Sequence, residues 1–323
     1  MSWLTECYAP HRDAAEVLDL WQQSLGEKYP ISRRIFWQNT IGNPCYQRGD
    51  AFVVRSNGRI VGFAEVRISR AGRRGNQVGS GLTVLLVDPA HQRQGIGSIL
   101  LKACERRAGE TGATSFRIAS ESLYRFWPGI PLDLDPMRAF LEKHGYELRR
   151  GTFDLVRDLA DFEMPRRCLE DIEQADAEIG PLAEEEAPEL LAFQQEHFPG
   201  WETIMRAMLA SGDASGIVRV RRAGKIVGTL SSFAPESRLR PANLVWERLL
   251  GADLGGIGAV GIASVERGRG LGLAMCAVAC RLLKERGVRN CHIDWTGITD
   301  FYGRLGFAIW REYWMSGKEL QSI

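Results

Sequence analysis

One short pattern occurs in each half of this chain and constrains its fold more than any other feature. Gln92-Arg93-Gln94-Gly95-Ile96-Gly97 follows the apolar run Leu82–Val87, and Arg267-Gly268-Arg269-Gly270-Leu271-Gly272 follows Gly258–Ala263. Each pattern then opens into helical spacing, through Ile96, Ile99, Leu100 and Ala103 in one case and Leu271, Met275, Val278 and Leu282 in the other. The first N–H groups of a helix have no partner inside it, and the helix dipole adds partial positive charge there. A strand, a glycine-bearing turn and a helix therefore form a cradle for a phosphate or pyrophosphate. Glycine lets the anion approach the backbone closely. The side chains of Gln92, Arg93, Arg267 and Arg269 are candidate additional donors. A third match, Arg59-Ile60-Val61-Gly62-Phe63-Ala64, lies inside a strand pattern and lacks this context.

The order of elements around the two patterns also repeats. Helical spacing over Pro10–Leu25 and Ile31–Thr40 precedes strands at Ala51–Arg55 and Arg59–Ser69, joined at the hairpin signal Asn57-Gly58. A buried strand at Gly81–Asp88, a helix at Ile96–Arg107 ended by Gly109, a strand at Ser115–Ala119, a helix at Pro136–Lys143 and a strand at Tyr146–Arg157 complete the first half. The second half repeats this with helices at Pro188–His197 and Trp201–Ala210, then a hairpin of Ser215–Arg222 and Lys225–Phe233 around Ala223-Gly224. There follow a buried strand at Gly258–Ala263, a helix at Leu271–Arg286, and the segments Asn290–Trp295, Thr299–Leu305 and Phe307–Met315. With 323 residues, two domains are expected, 1–160 and 166–323, with the boundary in the Pro165-containing segment Asp158–Arg167. Insertions at Tyr124–Asp135 and Pro235–Gly256 are either substrate-shaping loops or surface decoration.

A strand, Gln/Arg-x-x-Gly-x-Gly, a helix, a strand and a late Tyr302 before Gly306-Phe307 resemble the GNAT N-acetyltransferase superfamily, once per half. The resemblance implies an α/β (α+β) fold of two tandem GNAT-like domains, each a mixed, mostly antiparallel twisted sheet flanked by helices. It implies acetyl-CoA as cosubstrate, with the pyrophosphate on these loops. The cofactor contacts implied are Val87 with Gln92–Gly97 in the first half, and Ile262, Ala263 with Arg267–Gly272 in the second.

The resemblance also places Tyr302 beside the thioester sulfur, where a phenol that stays protonated at neutral pH donates to the departing thiolate. In Phe140-Leu141-Glu142-Lys143-His144-Gly145-Tyr146 the matching position is Leu141, which has no proton to give, so the first domain is expected to be degenerate. For the base, Asp294 shares a strand face with His292 and stands near the acceptor end, and Glu266 just before the loop is a second candidate. Each carboxylate is equally compatible with a surface charge or a helix cap. Trp295 stands where the family often has Asn, seven residues before the Tyr. The thioester carbonyl is expected to meet backbone N–H around Ile262–Ala263, with Gly258 and Gly261 marking a bulge, a close ligand approach or tight packing.

Composition bounds the partners. A net charge of +1 argues against a general nucleic-acid or membrane binder. The basic clusters Arg70/Arg73/Arg74 and Arg219/Arg221/Arg222 are either solvated edges or a rim for the 3′-phosphate of coenzyme A. Seven scattered cysteines, with no paired motif and no metal-ligand spacing, indicate a reduced, cytoplasmic protein. A monomer or homodimer is expected. Tandem members of the family include enzymes acting on amino sugars and the one completing mycothiol synthesis. A small-molecule primary amine such as glucosamine is therefore the leading acceptor, its low amine pKa demanding little of a weak base. Two alternatives stay open: a non-catalytic acetyl-CoA-binding sensor or scaffold, and a protein or peptide N-acetyltransferase.

Overall fold

The computed structural model describes residues 3–69, 78–119 and 124–320. They fall into two compact units: one comprises the residues up to Thr152 together with those from Glu312 on, and the other runs from Phe153 to Arg311. The first unit contains β1 (Glu6–Cys7), α1 (Pro10–Leu25), α2 (Arg33–Asn39), β2 (Ala51–Ser56), β3 (Arg59–Ser69), β4 (Gly79–Val87), α3 (Ile96–Glu110), β5 (Ser115–Ile118), β6 (Ile130–Pro131), α4 (Asp135–Lys143) and the beginning of β7 (Glu147–Asp158). The second contains the rest of β7, then α5 (Arg166–Gln174), β8 (Ala177–Pro181), α6 (Ala187–His197), α7 (Glu202–Ser211), β9 (Ile217–Arg222) and β10 (Lys225–Phe233). It continues with α8 (Glu247–Leu250), β11 (Gly255–Ile262), α9 (Leu271–Glu285), β12 (Asn290–Thr296), α10 (Thr299–Gly303) and the beginning of β13 (Ala308–Glu319).

This division differs from the expected one because the closing strand of each half does its pairing in the other unit. In the first unit the sheet runs β1-β2-β3-β4-β5, and Ser316–Glu319 of β13 pair antiparallel with β5. In the second it runs β12-β11-β10-β9-β8, and Phe153–Asp158 of β7 pair antiparallel with β12. In both sheets one pair is parallel, β4–β5 and β11–β12.

Local signals explain the hairpins. Asn57-Gly58 and Ala223-Gly224 both place two consecutive residues at positive φ, 49° and 80° in one and 48° and 75° in the other, as a two-residue turn with the right twist requires. The helices after the glycine patterns bury one side against each sheet. In α3 the buried residues include Ile96, Leu100, Leu101 and Cys104; in α9 every residue from Ala274 to Cys280 is buried. Cys276 and Cys280 thus serve as small apolar residues in this core.

Two local expectations change. Gly109 does not end α3, which continues to Glu110 and turns only at Thr111 and Gly112, whose φ is +83°. A glycine inside a helix costs about 1 kcal/mol but stops it only where the left-handed conformation is needed. The expected boundary segment runs into α5, which starts directly after Pro165, and β8 then forms the edge of the sheet against β9. Arg70, Arg73 and Arg74 lie outside the described residues.

Candidate active site

Three features of the second unit converge on one cavity of about 1080 Å³. The first is the loop from Arg267 to Gly272 at the start of α9. Gly270 caps that helix at φ +75°. Arg267 turns its side chain back, with Nε donating to the Ile262 carbonyl at 3.2 Å. Arg269 pairs with Glu266 at 3.1 Å. Neither expected extra donor projects freely from the loop; both stitch it to its surroundings.

The second feature is β11. Its ladder with β10 skips from Thr229↔Gly261 to Ser231↔Gly258, so two residues of β11 stand against one of β10. The bulge lies at Ala259–Val260, with Ala259 at φ +49°, flanked by the two glycines expected to mark it. Gly261 serves packing as well: a Cβ there would come within 2.6 Å of Phe198 and 2.9 Å of Trp201, whose rings stack at 5.0 Å. Pairing of β11 with β12 stops after Ile257↔Ile293, although β11 continues to Ile262 and β12 to Thr296. Beyond that point the two parallel strands part. Ala263, expected to offer its N–H to a carbonyl, donates instead to Val227 O at 2.9 Å. Because N–H groups alternate along a strand, the Ile262 N–H faces the opposite edge, toward the gap.

The third feature is Tyr302 on α10, only 5% exposed and lining the cavity. Burial raises its hydroxyl pKa well above the ordinary phenol value, and the nearby Cys276 thiol adds to this. Its hydroxyl makes no hydrogen bond among the described residues. A phenol so raised stays protonated at neutral pH.

The other candidates are less alike. Glu266 lines the cavity, but its carboxylate is held by Arg222 at 3.2 Å as well as by Arg269. Asp294 is half-buried on β12 and is not among the residues lining this cavity. His292, its expected neighbour, is fully buried, with Nδ1 2.9 Å from the Asn243 carbonyl and Nε2 3.4 Å from Asp154. Trp295 takes φ +54°. Of the Arg219/Arg221/Arg222 cluster, Arg219 pairs with Glu178 and Glu186, and Arg221 with Glu186 and Glu189. Only Arg222 reaches the loop, through Glu266. Sequence reasoning missed α5, whose Arg167, Cys168, Asp171 and Gln174 form a wall of the cavity. The Pro165 breaker and the Cys168/Ile172 spacing were the available signal, masked by the charged composition around them.

The first unit repeats the backbone of this arrangement. Gly95 caps α3 at φ +90°. Gln92 donates to the Val87 carbonyl at 3.2 Å, and the Asp88 N–H donates to Val61 O at 2.9 Å, the counterparts of Arg267 and Ala263. A bulge at Thr83 interrupts the β3–β4 ladder, and β4–β5 pairing stops after Leu82↔Ile118. The Leu141 carbonyl accepts from His144 and Tyr146 N–H as the Tyr302 carbonyl accepts from Leu305 and Phe307 N–H. Leu141 therefore occupies the position of Tyr302, and it is fully buried.

Comparison with known proteins agrees with this duplication. Residues 47–148 match a model described as Acetyltransferase (GNAT) domain, and residues 177–307 match one described as Acetyltransferase (GNAT) family. A mycothiol acetyltransferase of Amycolatopsis mediterranei (strain U-32) is 26% identical over 278 residues, covering 81% of this chain and 82% of that protein. The solved glucosamine N-acetyltransferase region of a fungal multi-domain GH3 β-N-acetylglucosaminidase superposes with a TM-score of 0.92 at 29% identity over 98% of this chain. This chain spans only 38% of that protein's length. A GCN5-related N-acetyltransferase from Sphaerobacter thermophilus shares the fold, with a TM-score of 0.70 at 18% identity over 99% of this chain and 96% of its own. The chain thus belongs to the GNAT acetyltransferases, as a tandem member with two such domains, and is an acetyl-CoA-dependent acetyltransferase.

Proposed function

We propose that the second unit transfers acetyl from acetyl-CoA to the primary amine of an amino sugar by direct attack, and that the first unit does no chemistry. The observation that carries this reading is the single cavity lined by the loop, the bulged strand and Tyr302. A diphosphate is proposed to sit on the loop at the head of α9, where Gly268 has no neighbour around its missing Cβ, whereas Gly270 lies against the Asp171 carboxylate. Arg267–Gly272 would hold that group, while Val260–Ile262 would run beside the pantetheine arm where β11 leaves β12. When bound, the cosubstrate supplies a thioester whose acetyl carbon forms a bond to the amine nitrogen as its bond to sulfur breaks.

The chain's own part is to place protons and dipoles. The Ile262 N–H faces the gap, where it can polarise a carbonyl oxygen. Tyr302 gives its proton to the sulfur leaving group and regains one from solvent. Asp294, on the strand that diverges from β11, is the carboxylate retained for the amine, which loses one proton on becoming an amide. Glu266 serves here to hold Arg222 and Arg269 beside the loop, both of its arginine contacts being already made. In the first unit, Val87 and Gln92–Gly97 keep a cradle that can seat a second diphosphate, but Leu141 has nothing to donate.

The acceptor assignment rests on the likeness to the glucosamine N-acetyltransferase region. Thiol release from acetyl-CoA, followed with glucosamine, other amino sugars, aromatic amines and lysine peptides, tests it. Amino sugars are expected to give the highest kcat/KM. Preference for peptides would overturn the acceptor, and no turnover with any amine, despite acetyl-CoA binding, would favour the sensor alternative.

A further inference from the structure

We propose that the buried pair His292–Asp154 holds one proton between its side chains and acts as a positioning brace that keeps β11 and β12 apart. The catalytic consequence rests on the reading of the second unit given above; the protonation does not.

The brace spans the point where the strands part. Asn243, in the insertion before β11, donates from Nδ2 to the Ile257 carbonyl at 3.0 Å. Ile257 is the last residue of β11 paired with β12. The Asn243 backbone carbonyl in turn accepts from His292 Nδ1 at 2.9 Å. Across the ring, Nε2 faces Asp154 Oδ2 at 3.4 Å, within ion-pair distance though not in hydrogen-bond geometry. The other oxygen of Asp154 accepts from the Trp295 N–H at 3.0 Å. One chain of polar contacts therefore runs from the end of the parallel pairing, through the insertion and β12, to β7 and back to the bend in β12.

Chemistry fixes the protons in this chain. A carbonyl oxygen can only accept, so Nδ1 carries a hydrogen. Nε2 then confronts a carboxylate. Were both unprotonated, a lone pair would face an anion with His292 0% and Asp154 1% exposed, an arrangement no solvent relieves. One proton must lie between them, on Nε2 or on Oδ2. The acidic groups around the ring agree, against the cation of Arg311. Asp154 on β7 and Asp294 on the ring's own strand are acidic. From β13 the Trp310 ring meets it edge-on at 5.5 Å, with the Arg311 guanidinium stacked on that indole at 3.9 Å. Burial alone would lower the imidazole pKa, but Asp154, Asp294 and the Asn243 carbonyl raise it overall.

What the brace holds is costly backbone. Trp295, at φ +54°, occupies a conformation a bulky side chain rarely adopts, and its N–H is the group Asp154 captures. The bend there accompanies the register break between Ile293 and Thr296 against β7. Losing the shared proton sets Asp154 and the imidazole lone pair against each other and loosens both ends of the gap.

The test uses the full chain labelled with 15N at histidine, with the His292 signal assigned by its loss in His292→Gln. Both ring nitrogens of His292, or Nδ1 together with an exchange-protected carboxyl proton, are expected to be protonated at neutral pH. A bare Nε2 with no such proton from pH 6 to 8 would overturn the shared proton. For the positioning role, acetyl-CoA affinity is measured by calorimetry from neutral into alkaline pH. In His292→Gln and Asp154→Asn, the latter nearly isosteric, it is expected to weaken by about tenfold. The weakening of wild-type affinity at alkaline pH should be lost in both variants. Unchanged affinity in both folded variants would overturn the brace. Wild-type protein that shows the protonated ring yet binds no acetyl-CoA would overturn the proposed function instead.

Discussion

The loop after β4 and the loop after β11 share a backbone down to single hydrogen bonds, yet differ in what stands beside them. Both follow a bulged strand that parts from its parallel neighbour, both tie their first residue to the preceding strand's last carbonyl, and both end in a left-handed glycine. Near the loop of the first unit lie the buried side chain of Leu141 and a His144 ring held by Ser98. Near that of the second lie Tyr302 and the carboxylate of Asp171. A loop geometry made by the main chain survives changes of side chain. Proton chemistry does not, because it needs one particular side chain at one position. The two sheets differ in the same way away from the loops. On β3 the first unit buries an ion pair, Glu65 with Arg67, 0% and 2% exposed, where the corresponding positions of the second unit's β10 carry Ser231 and Phe233.

The largest expected effect bears on that ion pair. Arg67→Met leaves Glu65 buried without its partner and should destabilise the protein by about 3–5 kcal/mol, seen as a lowered unfolding midpoint in urea. The pair also predicts a pH signature. Burial raises the Glu65 pKa to about 7, against the opposing influence of Arg67. A raised folded-state pKa means that this group's contribution is full below the unfolded value near 4.5 and is lost as pH rises through about 7. Glu65→Gln should flatten that dependence.

Next comes the comparison of Leu141 with Tyr302. Tyr302→Phe should lower kcat by about 10²-fold with little change in the KM for acetyl-CoA, read by thiol release. Leu141→Phe, matched in kind but in the other unit, should leave kcat unchanged. Equal losses in both would mean that the units are not divided as argued.

Smaller effects distinguish the loops themselves. Gly270→Ala places a Cβ 2.1 Å from the Asp171 carboxylate, whereas Gly95→Ala meets nothing within 4 Å. Both carry the strain of positive φ, about 1–2 kcal/mol. The first should therefore cost more in thermal stability and in acetyl-CoA affinity than the second. The smallest effect concerns Arg93, which holds φ +63° where the other loop has Gly268. Arg93→Gly should raise stability by less than about 1 kcal/mol, the relief of strain being partly offset by a more flexible unfolded chain.

Much of this was legible because its causes are local. Both glycine patterns, the hairpins at Asn57-Gly58 and Ala223-Gly224, the bulge flanked by Gly258 and Gly261, and the equivalence of Leu141 with Tyr302 all follow from residues close in the chain. The periodicity around them is strong as well. α5 escaped because a short, charged helix that buries little more than Cys168 and Asp171 has almost no apolar signature of its own. Asp154 escaped because nothing near it in sequence distinguishes it from a solvated strand residue.

The amino-acid order alone set the duplication, the class of fold, the glycine-bearing loops and the half that keeps a phenol in place, since turns, caps and periodicity act over a few residues. Tertiary structure decided which residues make up each compact unit, sending β7 and β13 to complete sheets begun far away in the chain. It also decided that Arg267 and Arg269 would stitch the loop, that Ala263 would spend its N–H on Val227, and that His292 would meet Asp154. Those outcomes depend on strand pairing and burial between distant segments, where the free energy of a contact is fixed by what else is packed there and leaves no mark on the spacing of residues.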